Sequence, residues 1–155
     1  MINEDKISQN YMQLYCISYI GQIQGNKKYE KLCFELKESL DKNGYKCAQN
    51  FNFKRNDFGP RDPGISRANL KYESMGILEI DKELNNKPTT YRLTEKGARW
   101  LEGLTLFYSK TILEFPKIKN IIDNSLQENK DLSGSKIAEK ESVQKAKKEL
   151  LGKKL

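Results

Sequence analysis

The chain has no histidine, and its 155 residues include only three cysteines, four prolines and one tryptophan. Without an imidazole there is no His general base, no Ser-His or Cys-His nucleophile pair and no His metal ligand. Cys16, Cys33 and Cys47 are odd in number and 17 and 14 residues apart. A zinc site would show paired short spacings instead. Cys16 and Cys33 fall in apolar helical stripes, as small buried hydrophobes do. No apolar run approaches the ~20 residues that span a bilayer. The acidic, polar start Met1-Ile2-Asn3-Glu4-Asp5 lacks the basic and apolar regions of a signal peptide. These absences predict a cytoplasmic protein that is not an enzyme, takes no cofactor or metal and has no membrane partner. Carboxylate or lysine catalysis needs no histidine, but no motif points to it.

What is present suffices for one core. Hydrophobic residues make up 37% of the chain and aromatics 10%, and the length suits one domain plus an appendage. Lys and Arg number 28 against 21 Asp and Glu, a formal charge of +7. Residues 1–115 hold 18 basic and 15 acidic residues, a net +3, and residues 116–155 hold 10 and 6, a net +4. The excess charge is therefore concentrated in the smaller part.

Hydrophobic spacing predicts a first helix from about Ile7 to Ile23, through Met12, Cys16, Tyr19 and Ile20 and closed by Gly25. A second helix runs from Asn26, a suitable N-cap, to Asn43-Gly44, with Tyr29, Leu32, Cys33, Leu36 and Leu40 in one stripe. Partial alternation predicts a strand over Gln49–Lys54, and turn formers crowd residues 56–64. A third helix, about 63–75, stops at Gly76. Ile77, Leu78 and Ile80 form a short strand, a polar tip spans 81–89, and Thr90-Tyr91-Arg92-Leu93 returns. Thr94 then caps a long helix, about 94–115, that Pro116 ends or breaks. Beyond it, Ile118, Ile121, Ile122 and Leu126 suggest a short amphipathic helix. Ser133-Gly134-Ser135 marks a joint before a Lys-rich, partly flexible tail.

The fold class is thus mainly α with a small β-hairpin, an α+β arrangement. The order of helix, helix, strand, helix, hairpin, helix is that of a winged helix-turn-helix. The string Ile65-Ser66-Arg67-Ala68-Asn69-Leu70-Lys71-Tyr72-Glu73-Ser74-Met75-Gly76-Ile77-Leu78 resembles the recognition helix and following strand of MarR- and PadR-like transcriptional regulators. Tyr91-Arg92-Leu93-Thr94-Glu95-Lys96-Gly97 resembles the exit from the wing in the same families. Phe58-Gly59-Pro60 is similar to a turn in archaeal winged-helix proteins and in the Panacea antitoxin domain. The resemblance covers roughly residues 7–115. It implies a winged-helix DNA-binding domain over 7–115, with a dimerisation helix at 94–115, followed by an amphipathic helix and basic tail at 116–155.

On that reading the partners are double-stranded DNA and a second copy of the chain. A helix fits the major groove, where Arg reads guanine and Asn reads adenine. Ser66, Arg67, Asn69 and Lys71 are the candidate groove residues. Lys54, Arg55 and Arg61 flank the start of the helix, and Lys82 and Lys87 on the wing would follow phosphates. Each has a plain rival: the cations can be solvated surface charge, and Asn69 can cap, bridge or face solvent. Leu101, Leu104, Tyr108 and Ile112 are assigned to the dimer interface. The alternative is a winged-helix protein-interaction or antitoxin-like module that does not read DNA, in keeping with the modest +3 of residues 1–115. The tail either is a solvated extension or adds non-specific DNA affinity.

Overall fold

In a computed structural model, the described residues are 6–56, 59–82 and 89–132, with Lys136, Gln144, Lys145, Lys148, Gly152 and Lys154. Helix α1 (Gln9–Ile20) starts where the Ser8 side chain accepts the Asn10 N–H, and ends at Gly21. It is shorter than its hydrophobic pattern predicts. Ile23 leaves the helix and forms β1 (Ile23–Gln24), which pairs with Tyr91 of β5 (Thr90–Leu93). Helix α2 (Asn26–Lys42) follows. Asn26 is not its N-cap: Gly25 holds that position, and the Asn26 side chain accepts the Tyr91 hydroxyl instead.

The strand expected at Gln49–Lys54 is displaced. Cys47–Asn50 make turns, and β2 (Lys54–Asn56) pairs with β3 (Gly59–Arg61) in the register Lys54↔Arg61. The alternation at Phe51 and Phe53 reflects anchoring rather than a ladder. Both rings are fully buried, and Phe53 meets Phe34 of α2 edge-on at 5.3 Å. Burying each ring contributes about 2 kcal/mol, enough to tie the β2–β3 hairpin to α2.

Helix α3 (Pro63–Ser74) leads into β4 (Leu78–Asp81), and β4 returns through β5 into α4 (Glu95–Thr111). The main sheet is antiparallel, in the order β1-β5-β4, with Ile80 opposite Tyr91 and Leu78 opposite Leu93. The mainly helical α+β class expected from the sequence is what the chain adopts. No described helix is long and apolar enough to cross a membrane.

The long helix ends before Pro116. Ile112 is its extended C-cap, and Pro116 lies in the first turn of α5 (Phe115–Asn129), where a missing N–H costs nothing. Helix α5 buries Phe115, Ile118, Ile122 and Leu126 in the same core as α1 and α2. The boundary expected at residue 115 is therefore corrected, because α5 completes the core rather than beginning an appendage. Near the C-terminus the Gly152 N–H bonds the Arg55 carbonyl at 2.7 Å, and Lys154 bridges Lys54 in antiparallel fashion. The end of the tail thus meets the edge of β2.

Candidate nucleic-acid interface

Helix α3 is held firmly on one side and left open on the other. Asp62 caps it, one carboxylate oxygen accepting the Gly64 N–H at 2.9 Å and the other the Asn52 N–H at 2.8 Å. The cap therefore also fastens α3 to the chain leading into the β2–β3 hairpin. Ile65, Asn69 and Tyr72 form the buried face. Asn69 is 1% exposed and accepts from Gln13 Nε2 at 2.8 Å; the same nitrogen donates to the Ile65 carbonyl at 3.2 Å. Tyr29 donates to the Gln13 carbonyl at 2.7 Å. One buried polar network thus joins α1, α2 and α3.

This placement corrects the expectation for Asn69, which points into the protein and presents no edge to a groove. Gln13 satisfies its Oδ1, whereas its buried Nδ2 has no hydrogen-bond partner among the described residues. Ser66, beside the buried Ile65, is half-buried and contributes less to the open face. The open face is formed by Arg67, Leu70, Lys71 and Ser74, all exposed and spaced i, i+3, i+4 and i+7. Arg67 and Lys71 face solvent, and neither forms an ion pair with a described residue. Leu70, half exposed, and Ser74 were missing from the candidate set. Helical spacing counted from Arg67 would have found both.

The far end of α3 is fixed against the second hairpin. Gly76, with φ +75°, takes the left-handed turn that a side chain resists. Lys96 Nζ donates to the Met75 carbonyl at 2.8 Å, placing a cation at the C-terminal dipole of α3. Thr94 caps α4 by accepting the Gly97 N–H at 3.0 Å, and its hydroxyl donates to the Gly76 carbonyl at 2.6 Å. Gly97 is required by close approach: a Cβ there would stand 2.1 Å from the Ile77 carbonyl oxygen. On the hairpin surface Arg92 pairs with Glu79 at 3.4 Å and Asp81 at 3.1 Å. These exposed pairs contribute little to stability. Lys82 is exposed just after β4, whereas Lys87 lies outside the described residues.

At the other end, Lys54 is exposed and Arg55 half-buried on β2. Arg61 is about half exposed, yet its Nε lies 3.5 Å from Oε1 of the buried Glu30. It is therefore committed to an ion pair and is not a simple surface cation as expected. Burial pushes the Glu30 carboxyl up to about 7, against the opposing pull of the Arg61 charge.

The expected dimer residues are largely core. Leu101 is 4% exposed, Tyr108 5% and Ile112 2%, and Leu104 is half-buried. Tyr108 accepts the Ser8 N–H and stacks edge-on with Tyr11 at 5.1 Å. Two apolar lines on α4 can be told apart only once it is known which one α1 covers. The exposed line holds Trp100, Leu106 and Phe107, with Leu113 just beyond the helix. The three cysteines are buried and none is in a disulfide.

No protein-family model and no curated protein matches this chain. Its function is therefore read from its own geometry.

Proposed function

We propose that the chain is a winged-helix DNA-binding protein, of the MarR- and PadR-like type that its motifs resemble, and that it acts as a transcriptional regulator in the cytoplasm rather than as an enzyme. In this reading α3 enters the major groove and the β4–β5 hairpin grips the backbone. The observation that carries it is the open face of α3, with Arg67 and Lys71 unpaired among described residues and a basic hairpin position at each end, Lys54 and Lys82. The order α1-β1-α2-β2-β3-α3-β4-β5, with β1 closing the sheet against β5, fits a winged-helix arrangement that carries an added β2–β3 hairpin between α2 and α3.

Arg67, on the second turn of α3, suits guanine, and Leu70 suits a thymine methyl group. Lys71, Lys54 and Lys82 suit phosphates, giving affinity without sequence choice. A homodimer would read two half-sites about one helical turn apart, with Trp100, Leu106 and Phe107 as the apolar contact in place of the buried residues first assigned. A second reading, a protein-interaction module, is favoured by Leu70 and Met75, which stand 50% and 45% exposed on or beside the same face.

Salt separates the two. Titrating a fluorescent random-sequence duplex at several ionic strengths should show affinity falling steeply, with a log–log slope of roughly −3 for the three phosphate contacts of one chain. A slope near zero, or no binding, would reject the DNA reading.

A further inference from the structure

Two buried acidic side chains meet the candidate interface among the described residues: Asp62, which caps α3, and Glu30. Glu30 projects from α2 beneath the junction of β3 and α3, is 6% exposed, and its Oε1 accepts no hydrogen bond from a described residue. Its nearest cation is Arg61, in an ion pair at 3.5 Å. The charged and titratable groups around it are few. Arg61 and Asp62 face it from the β3–α3 junction, Lys31 and Cys33 from its own helix, and Tyr91 from β5. Asp62 already accepts two backbone N–H groups, and Tyr91 is engaged with Asn26.

A carboxylate so poorly solvated depends on Arg61 to keep its charge. Burial is the main cause that raises it to about 7, Arg61 lowers it, and Asp62 raises it further. Arg61 sits at the start of α3, where a phosphate flanking the groove would lie.

We propose that Glu30 and Arg61 form a proton-linked latch on the DNA interface: a backbone phosphate that draws Arg61 away leaves Glu30 to take up a proton, so duplex binding tightens as pH falls. This rests on the DNA-binding reading above. Above neutrality Arg61 is held by an ionised Glu30 and must be pulled from it. Below neutrality Glu30 is neutral and Arg61 is free to turn outward. Uptake of one proton limits the effect to tenfold per pH unit. The chain has no histidine to produce the same dependence.

The test uses the full chain and a fluorescent random-sequence duplex, at fixed ionic strength between pH 6 and 8.5. Wild type should lose at least fivefold in affinity across that range. Glu30→Gln should bind with a flat profile, and Arg61→Gln should bind more weakly and also flatly. Carbon-detected NMR of the DNA-free protein should show Glu30 titrating near 7 and moving higher in Arg61→Gln. A wild-type profile shared by both variants, or Glu30 titrating near 4.5, overturns the latch while leaving DNA binding intact. Absence of duplex binding at every pH overturns the DNA reading and the latch with it.

Discussion

Replacing Gly97 by alanine tests how closely α4 is seated on the start of β4. The added Cβ would stand 2.1 Å from the Ile77 carbonyl oxygen and 3.0 Å from its carbon. Both atoms are backbone, and the oxygen already accepts the Thr94 N–H at 3.1 Å. Backbone must therefore separate, at about 1–3 kcal/mol for overpacking. The separation also weakens the Thr94 cap, worth about 1 kcal/mol, and one hydrogen bond of about the same size. Helix propensity offsets about 1 kcal/mol, leaving a net loss of about 2–4 kcal/mol. Gly103 supplies the control. It lies exposed in the interior of α4, and a Cβ there meets nothing within 4 Å. Gly103→Ala should stabilise by up to about 1 kcal/mol. Urea unfolding followed by circular dichroism measures both. A Gly97→Ala variant within ~0.5 kcal/mol of wild type would refute the reasoning, because it would mean that the close approach is not a constraint.

Three further outcomes follow from the same geometry. Asn69→Ala should destabilise by about 1–3 kcal/mol in urea, because it leaves Gln13 short of a buried acceptor; a neutral effect would show that the network is not what holds α3. Glu30, raised from 4.5 to about 7 on folding, favours the folded state fully below pH 4.5 and loses that contribution as pH rises through 7. Unfolding free energy of wild type should therefore drop by about 3 kcal/mol relative to Glu30→Gln between pH 4.5 and 7.5, and parallel curves would contradict it. Phe107→Asp should abolish self-association in sedimentation velocity at micromolar concentration, whereas a wild type that is monomeric throughout would remove the dimer from the account.

Long periodic segments were legible in the sequence because burial repeats along them. The stripe through Leu32, Leu36 and Leu40 of α2 and the Thr94-capped start of α4 needed only helical spacing. The hairpin of β4 and β5 was legible from its polar tip. Short elements were not. The two residues of β1 look like the end of a helix, since Ile23 continues the spacing of α1 and its partner Tyr91 lies far along the chain. Phe51 and Phe53 alternate like a strand although their rings only anchor an unpaired segment. At the site, Arg67 and Lys71 were legible from residue type and helix phase. Asn69 was not, because its partner Gln13 lies 56 residues away and nothing local marks a buried amide there. Arg61 was likewise read as surface charge, since nothing local reveals that Glu30 lies beneath it.

Selection of duplexes from a random pool, run on wild type beside Arg67→Ala, tests the central claim most directly. If the open face of α3 reads DNA, wild type enriches a motif containing guanine at a fixed position, repeated about one helical turn away when the chain is dimeric. Arg67→Ala should lose preference at that position while keeping salt-sensitive binding. If wild type enriches nothing, or both proteins enrich the same motif, Arg67 does not read sequence and the account of this face is wrong.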